Sequence, residues 1–169
     1  MDSSIHVPFA MLETDRLFIR KLKNEDADFI FHLVNTPGWL KFIGDRNVQN
    51  IDDSMSFIKQ AITTPGKDYF PIILKADEVP IGILSFMQRE TLEYPDFGFA
   101  LLPEYYQKGY CFEASYTLLN ELLSHHSSIL AVTKYNNLKT IRLLVKLGFQ
   151  FQKQTENGEL LNHYLIRNK

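Results

Sequence analysis

The clearest chemical signal in the sequence is the segment 105–111 (YYQKGYC), which joins a predicted strand to a long predicted helix. A glycine-bearing loop that enters a helix exposes unpaired backbone N–H groups at the positive end of the helix dipole. Such groups bind phosphate or pyrophosphate. The segment matches neither the P-loop pattern nor the dinucleotide-binding fingerprint. By itself a turn with one glycine is more often structural, so the anion site depends on the surrounding sequence.

Other reactive side chains narrow the chemistry further. The single cysteine, Cys111, allows neither an internal disulfide nor a zinc–thiolate site, and this cysteine content is typical of a reducing cytoplasm. A helix N-terminus lowers the pKa of a thiol and so makes it a better nucleophile. An acyl-cysteine intermediate on Cys111 is therefore kept as a minor hypothesis. No cluster of His, Cys and Asp has the spacing of metal ligands, so no metal is expected.

Charge and hydropathy exclude two classes of partner. The 169 residues carry a formal net charge of -2, with acids and bases interleaved and no basic block, so nucleic-acid binding is not expected. No run approaches the roughly 18 apolar residues of a membrane span. Residues 1–10 lack the features of a secretory signal. We expect them to be a short extension before a single cytoplasmic domain of residues 11–169.

Mixed α/β structure is predicted from the hydrophobic pattern, in the order βααβββαβαββ. Three short strands with small gaps indicate an antiparallel meander before the long helix. Gly148 is placed as a left-handed helix cap, and Asn157-Gly158 as a hairpin turn. The strands are predicted at 16–22, 69–74, 81–88, 94–101, 129–133, 149–154 and 159–167. The helices are predicted from Asn24 to Pro37-Gly38, from Asp52 or Asp53 to Pro65-Gly66, at 111–125 and at 138–147.

Two long segments resemble the central motifs of the GNAT N-acetyltransferases. They are DFGFALLPEYYQKGYCFEA at 96–114 and NNLKTIRLLVKLGF at 136–149. The nearest subgroup is the one that includes the ribosomal-protein N-terminal acetyltransferases, whose first strand and helix resemble MLETDRLFIRKLKNEDADFIF at 11–31. The likeness covers nearly the whole chain from Met11, and the predicted order of elements is the one expected for that fold, a mainly antiparallel sheet flanked by helices.

The resemblance implies a binding site for acetyl-CoA, with no metal. Gly109 falls on the fourth position of the family loop [QR]xxGx[GA], and Cys111 falls on the last, where Gly or Ala is usual. The strand before the loop would hold the pantetheine arm through strand-like pairing, and an N–H near Phe99 or Ala100 would polarise the thioester carbonyl. Asn137 would bind the CoA arm, or cap the next helix, or do both. The implied cofactor-binding residues are Phe99, Ala100, Leu101, Gln107, Lys108, Gly109, Tyr110, Cys111, Phe112, Asn137 and Thr140.

Catalytic roles follow from the same resemblance. An amine with a pKa near 10 is protonated at pH 7, so a base must take its proton, and Asp96 is the first candidate. Thr140 would lie near the thioester sulfur and return a proton to the thiolate. Many members use a tyrosine one turn later, where this chain has Leu144. The candidate acceptor-binding residues are Trp39, Phe42 and His163.

The sequence therefore predicts an acetyl-CoA-dependent N-acetyltransferase that transfers the acetyl group directly to a primary amine. The acceptor is left open between a protein N-terminus and a small-molecule amine. The alternative function is a CoA-binding domain without catalysis, acting as a sensor or partner module. By analogy with the family, the chain is expected to be a monomer or a homodimer.

Overall fold

A single mixed sheet flanked by helices forms the fold. The computed structural model describes residues 9–169. Short 3₁₀ turns cover Asn24–Asp26 and Pro103–Tyr105. The strands are β1 (Met11–Glu13), β2 (Leu17–Arg20), β3 (Lys67–Leu74), β4 (Val79–Met87), β5 (Asp96–Leu101), β6 (Ser128–Lys134), β7 (Gln150–Glu156) and β8 (Leu160–Arg167). The helices are α1 (Ala27–Val34), α2 (Pro37–Phe42), α3 (Ile51–Thr63), α4 (Tyr110–Leu123) and α5 (Leu138–Leu147).

The sheet has the strand order β1-β2-β3-β4-β5-β6-β8-β7. All neighbouring strands are antiparallel except β5 and β6, which run parallel and share register at one pair, Asp96 and Leu130. The predicted meander of β3, β4 and β5 is confirmed, and the mixed α/β class is confirmed with it. Beyond the Asp96–Leu130 pair, β5 and β6 diverge.

Alternation along the strands gives the sheet two buried faces. One face of the meander carries Phe70, Leu84 and Phe97, which are buried in one hydrophobic cluster with α4 and α5. The other face carries Ile83, with Tyr69 partly buried beside it, and packs on a second cluster formed by α1, α2 and α3. Because paired residues on adjacent strands point to the same face, the strand registers identify which side chains share a face.

Several local predictions are confirmed by the backbone. Gly148 ends α5 in the left-handed conformation at φ 102°, and Gly158 turns the β7–β8 hairpin at φ 79°. Asn157-Gly158 lies between these two strands, which pair antiparallel. Both positions need a positive φ that glycine adopts without steric cost.

Two local predictions were wrong, and one short strand was not predicted. Residues 37–38 begin the separate helix α2 rather than closing α1, because Pro37 takes the first helical position and Thr36 caps it. The cap of α3 is Asn50, whose side-chain oxygen accepts from the Asp53 N–H at 2.8 Å. The short strand β1, which pairs with β2 at the sheet edge, was not predicted, because three residues are too short for a periodic signal.

The predicted N-terminal extension lies mostly outside the described residues. Phe9 is described, and its ring lies 5.6 Å from the Phe70 ring, so contact with the core begins before Met11. Within residues 9–169, no helix is long and apolar enough to cross a membrane. The same residues contain no group of three or more His, Cys, Asp or Glu placed to hold a metal ion.

Candidate functional site

A cleft of 1680 Å³ opens where β5 and β6 diverge. The Leu102 N–H donates to the Ile81 carbonyl on β4 at 2.8 Å. Since successive N–H groups of a strand point to opposite edges, the Ala100 N–H also faces β4. The N–H groups of Phe99 and Leu101 therefore face the cleft, where β6 no longer pairs with them. Phe99 and Ala100 were the two residues whose backbone N–H was predicted to polarise the thioester carbonyl, and of these only the Phe99 N–H faces the cleft.

The N-terminus of α4 borders one end of the cleft. Gly109 is the N-cap residue with φ 80°, and its carbonyl accepts from the Glu113 N–H at 3.0 Å. Gln107 also has a positive φ of 63°, which is strained for a residue with a side chain. These two positions turn the chain sharply into α4, whose first amides have no intrahelical acceptor, as at the start of any α-helix.

An ion pair holds this loop against the first part of the chain. Arg16 donates to Glu113 Oε2 from Nε at 2.8 Å and from Nη2 at 2.7 Å, and its Nη1 donates to the Lys108 carbonyl at 3.0 Å. Thr14 Oγ1 donates to Glu113 Oε1 at 2.6 Å. Partial burial tends to raise the pKa of Glu113, but the hydrogen bonds from Thr14 and Arg16 outweigh it and lower that pKa. The carboxylate is therefore charged at neutral pH and fixes the loop.

Cys111 lies in the first turn of α4 and lines the cleft. Burial raises the pKa of its thiol to about 12, although a weak hydrogen bond with Ser115 Oγ at 4.0 Å opposes the rise. The thiol is therefore protonated at neutral pH. This finding disfavours the acyl-cysteine hypothesis, because the nucleophile in such a step is the thiolate.

Helix α5 forms the neighbouring wall. Asn137 is at the N-cap position, but its side chain makes no capping hydrogen bond, so the cap alternative is not realised. Thr140 lines the cleft one turn later. Leu144 is 1% exposed in the hydrophobic core, so it replaces the usual tyrosine with packing rather than with a polar group. Three basic side chains of this helix line the cleft: Lys139, Arg142 and Lys146.

Asp96 lies at the apex of the cleft, where β5 and β6 last pair. Its Oδ2 accepts from Arg89 Nε at 3.0 Å, and its side chain is 15% exposed. Burial raises the pKa of this carboxyl, while Arg89 and the backbone N–H of Val132 oppose the rise. The carboxylate therefore connects the end of β4 to β6 as well as facing the cleft.

His163 approaches the cleft from β8, opposite Val132 of β6. Its Nε2 lies 2.8 Å from Thr155 Oγ1. Burial lowers the pKa of the imidazole, and Lys153 lowers it further. His163 is therefore neutral at pH 7. In the tautomer in which Nε2–H donates to Thr155, the lone pair of Nδ1 is available to accept a proton.

The opposite wall consists of side chains from α2, the loop after it, and β3 and β4. Trp39 and Phe42, both predicted acceptor-site residues, line this wall, and Trp39 is 6% exposed. Four further residues on this wall were not predicted: Arg46, Tyr69, Ser85 and Arg89. The signal that locates Tyr69 and Ser85 is the meander register, because they pair with each other, and Ser85 pairs in turn with Gly98.

The cleft thus brings together all predicted site residues except one. Lys108 does not line the cleft, and its Nζ lies 6.0 Å from the centre of the Tyr105 ring. Its carbonyl is engaged by Arg16. The Lys108 side chain, one of the implied cofactor-binding residues, is thus directed elsewhere, and the anion-binding groups of this loop are its backbone amides.

Comparison with known proteins gives one consistent family. A sequence profile described as an acetyltransferase (GNAT) domain matches residues 16–150. The chain is 26% identical over 152 residues to the uncharacterized N-acetyltransferase YoaA of Bacillus subtilis, and the match covers 84% of each protein. The fold resembles the ribosomal-protein-S5-alanine acetyltransferase of Vibrio fischeri with a TM-score of 0.81 and 18% identity, over 95% of this chain and 97% of that chain. It also resembles the microcin C7 self-immunity acetyltransferase MccE in complex with acetyl-CoA and AMP, with a TM-score of 0.79 and 20% identity over 91% and 93% of the two chains.

Proposed function

This chain belongs to the GNAT acetyltransferase family, and we propose that its cleft transfers the acetyl group of acetyl-CoA directly to a primary amine. Family membership makes it an acetyl-CoA-dependent N-acetyltransferase. The observation that carries the proposed geometry is the divergence of β5 and β6 beside the α4 N-terminus. Acetyl-CoA supplies the activated acetyl thioester, and the chain supplies binding, orientation and proton transfer.

The residues around the divergence fit a phosphate-bearing thioester. The backbone amides from Gln107 to Phe112 lie at the positive end of α4, which borders the end of the cleft and where pyrophosphate binds well. Lys139, Arg142 and Lys146 add positive charge along α5. The Phe99 N–H is directed into the cleft and would polarise the thioester carbonyl.

Proton transfer from the amine has two candidate acceptors. Asp96 has a carboxylate, but Arg89 occupies one of its oxygens at 3.0 Å. His163 is neutral at pH 7 and has one ring nitrogen without a protein partner among the described residues. We therefore assign proton acceptance to His163 and give Asp96 the positioning of the β5–β6 apex. Thr140 is the hydroxyl on the α5 wall that would pass a proton from water to the departing thiolate, accepting one proton as it donates another.

The wider setting follows the same proposal. Residues 11–169 form one catalytic domain, which acts in the cytoplasm as a monomer or homodimer. The acceptor is a protein N-terminus or a small amine. The Vibrio fischeri relative is an acetyltransferase of a ribosomal-protein alanine, which supports a protein acceptor. The MccE relative binds AMP together with acetyl-CoA, which supports a small-molecule acceptor.

The first experiment measures release of the CoA thiol from acetyl-CoA against a panel of amines. The panel contains peptides with free Ser, Ala or Met N-termini, polyamines, aminoglycosides and amino acids. Turnover on one class confirms the transferase and identifies the acceptor class. Binding of acetyl-CoA by calorimetry without turnover on any amine supports the alternative of a non-catalytic CoA-binding domain, which the buried Leu144 at the usual tyrosine position favours. Failure to bind acetyl-CoA would overturn both functions.

A further inference from the structure

The wall formed by β3, β4 and the loop after α2 has properties that the transfer reaction does not require. We propose that this wall binds an anionic group of the acceptor, a carboxylate or a phosphate, through Arg46 and Arg89. The acceptor is then a small molecule that carries both a primary amine and an acid. This inference rests on the proposed function, since it assigns a substrate class to the same cleft.

The strand register places the wall beside the reacting centre. Tyr69 of β3 pairs with Ser85 of β4, and Ser85 pairs with Gly98 of β5. These residues form one row on one face of the sheet. Gly98 has no side chain, and Ser85 Oγ fills the space beside it, since a Cβ there would lie 2.6 Å from that oxygen. The Tyr69 phenol and the Ser85 hydroxyl therefore share one row with the β5 backbone next to Phe99.

Two arginines line the same cleft as this row. Arg46 and Arg89 line the cleft, and both act on the Tyr69 phenol. Burial raises the pKa of Tyr69, and the positive charges of Arg46 and Arg89 oppose that rise. The Tyr69 hydroxyl therefore stays protonated at pH 7 and is a further hydrogen-bond donor of this cleft. A planar guanidinium binds carboxylate or phosphate through two parallel hydrogen bonds.

The charges of these two arginines are not fully neutralised by the protein. Arg89 contacts Asp96 through Nε and Met87 Sδ through Nη2, which leaves Nη1 without a protein acceptor in residues 9–169. Arg46 has no carboxylate within 4.0 Å in the same part of the chain. An exposed arginine without an anionic partner inside a ligand cleft is suited to a ligand anion.

The cleft as a whole is cationic, in contrast to the chain. Its described lining includes seven lysine and arginine residues and two acidic residues, Asp96 and Glu159. Both acids are paired, since Asp96 contacts Arg89 and Glu159 contacts Lys134 at 3.0 Å. The full chain has a net charge of -2. The three cations of α5 suit the phosphates of CoA, which leaves the positive charge near β3 and β4 without a role in holding the donor.

Trp39 adds an unused donor to the same wall. Its indole Nε1 is buried and has no hydrogen-bond partner among residues 9–169. Buried donors without a partner cost free energy and are uncommon in native proteins. Trp39 lies on the short helix α2, several residues of which line the same cleft.

The spacing favours an amine whose acid is several bonds from the nitrogen. Tyr69 is two strands away from Gly98, which is about 10 Å at ordinary strand spacing. The side chains of Tyr69, Arg46 and Arg89 bridge part of that distance. An ω-amino acid or an aminoalkyl or amino-sugar phosphate therefore fits the site better than an α-amino acid, in which one carbon separates the two groups.

The test compares matched ligands that differ only in the anion. Calorimetry is performed with 3-aminopropyl phosphate against 3-aminopropanol, and with 4-aminobutyrate against butylamine, in the absence and presence of saturating CoA. The proposal predicts that at least one acid binds about tenfold or more tightly than its neutral partner. The phosphate and carboxylate pairs distinguish the two sources of the anion. Equal affinity within both pairs, or no binding of either acid, would overturn the proposal.

Variants separate this wall from a general charge effect. Arg46→Ala should reduce the acid-to-neutral affinity ratio about tenfold. Lys59→Ala removes one exposed charge on α3 outside the cleft and should leave the ratio unchanged. An unchanged ratio in Arg46→Ala also counts against the proposal. The acceptor ligands are also titrated in the absence of CoA. If the protein fails to bind CoA, that failure counts against the proposed function, while the affinity ratios measured without CoA still test the anion site.

Discussion

The two halves of the cleft recognise their ligands by different means. The donor half, from β5 through the α4 N-terminus, presents main-chain amides that the fold positions, with Gly109 and Gln107 setting the turn. The acceptor half presents side chains from α2, β3, β4 and β8, among them Arg46, Tyr69 and His163. A backbone site tolerates substitution of its side chains as long as the backbone path is kept. A side-chain site changes its ligand with each substitution.

This difference accounts for the departures from the family loop. Cys111 stands where the family loop usually has Gly or Ala, and Tyr106 falls on the first position of that loop, where Gln or Arg is usual. Gly109 is nevertheless the N-cap of α4 in the left-handed conformation. The Tyr106 ring packs beneath the ammonium group of Lys139 on α5, whose Nζ lies 4.9 Å from the ring centre. The acceptor half offers side chains instead of main-chain amides, so its ligand depends on which residues this chain has there.

The largest expected effect breaks the donor half at its turn. Gly109→Asp should weaken binding of CoA about 1000-fold, because a carboxylate beside the pyrophosphate repels it by several kcal/mol. Calorimetry with CoA measures this loss. The matched control is Gly158→Asp, since Gly158 has nearly the same φ of 79° but lies in the β7–β8 hairpin. Both variants carry the same backbone strain, so wild-type affinity in Gly109→Asp would place the pyrophosphate elsewhere.

The second prediction concerns the proton acceptor in the other half. His163→Gln should lower kcat/KM about 100-fold at pH 7 with little change in CoA affinity, as expected for loss of a general base. The pKa of His163 is lowered, so wild-type kcat/KM should be constant near pH 7 and fall on the acid side of the ordinary histidine pKa of about 6.5.

Asp96→Asn is the comparison for that variant. It should affect stability through the lost contact with Arg89, and the acidic limb of the rate profile should remain. If His163→Gln keeps both the rate and the acidic limb while Asp96→Asn loses them, Asp96 is the base.

A smaller effect is expected from the ion pair that holds the loop. Glu113→Gln should destabilise the protein by about 1 kcal/mol, since Arg16 is partly exposed and its attraction is screened. Affinity for CoA should fall about fivefold as the loop loosens.

The pH dependence of Glu113→Gln has a defined sign. Because the folded pKa of Glu113 is lowered, the stability that it contributes is complete above the unfolded glutamate pKa of about 4.3. That contribution disappears as the pH falls through the lower folded pKa. The difference in the free energy of unfolding between wild type and variant, measured by denaturation, should therefore be the same at pH 7 and at pH 5.5. It should disappear in stronger acid. A difference that vanishes near neutrality would exclude this pair as the source.

The smallest effect is expected at Cys111. With its thiol pKa at about 12, Cys111 is not a nucleophile at neutral pH, and Cys111→Ala should change kcat less than about twofold. A steady-state assay with the acceptor found in the amine panel measures it. A loss beyond tenfold with normal CoA affinity would restore the covalent hypothesis.

Local sequence signals predicted the donor half well. Gly109 and Gly148 both have a positive φ, which favours glycine. A backbone requirement of this kind can be recognised in the sequence from the residue type alone. Leu144 was also recognised as a departure, and the structure places it in the core. The element order was correct apart from β1 and α2, whose few residues give no periodic pattern.

The acceptor half could not be predicted in the same way. Tyr69 and Ser85 lie on the two strands of one hairpin, and the strand register places them in one row with Gly98. A shift of the register by one residue would move each side chain to the other face of the sheet, and the sequence does not fix the register that closely. Arg46 lies in an irregular segment after α2, with no pattern to direct it towards the cleft. The Arg16–Glu113 contact joins residues that are 97 positions apart, so neither residue alone indicates it.

The single register pair between β5 and β6 has a consequence for how the molecule opens. A sheet joined at one pair consists of two blocks, β1 to β5 and β6 to β8, whose backbone hydrogen bonds are cooperative within each block and sparse between them. Amide hydrogen exchange should then divide along this line in the free protein, with different protection on the two sides. A ligand that contacts both strands stabilises the joined form, so its binding should reduce the difference in protection between the two blocks.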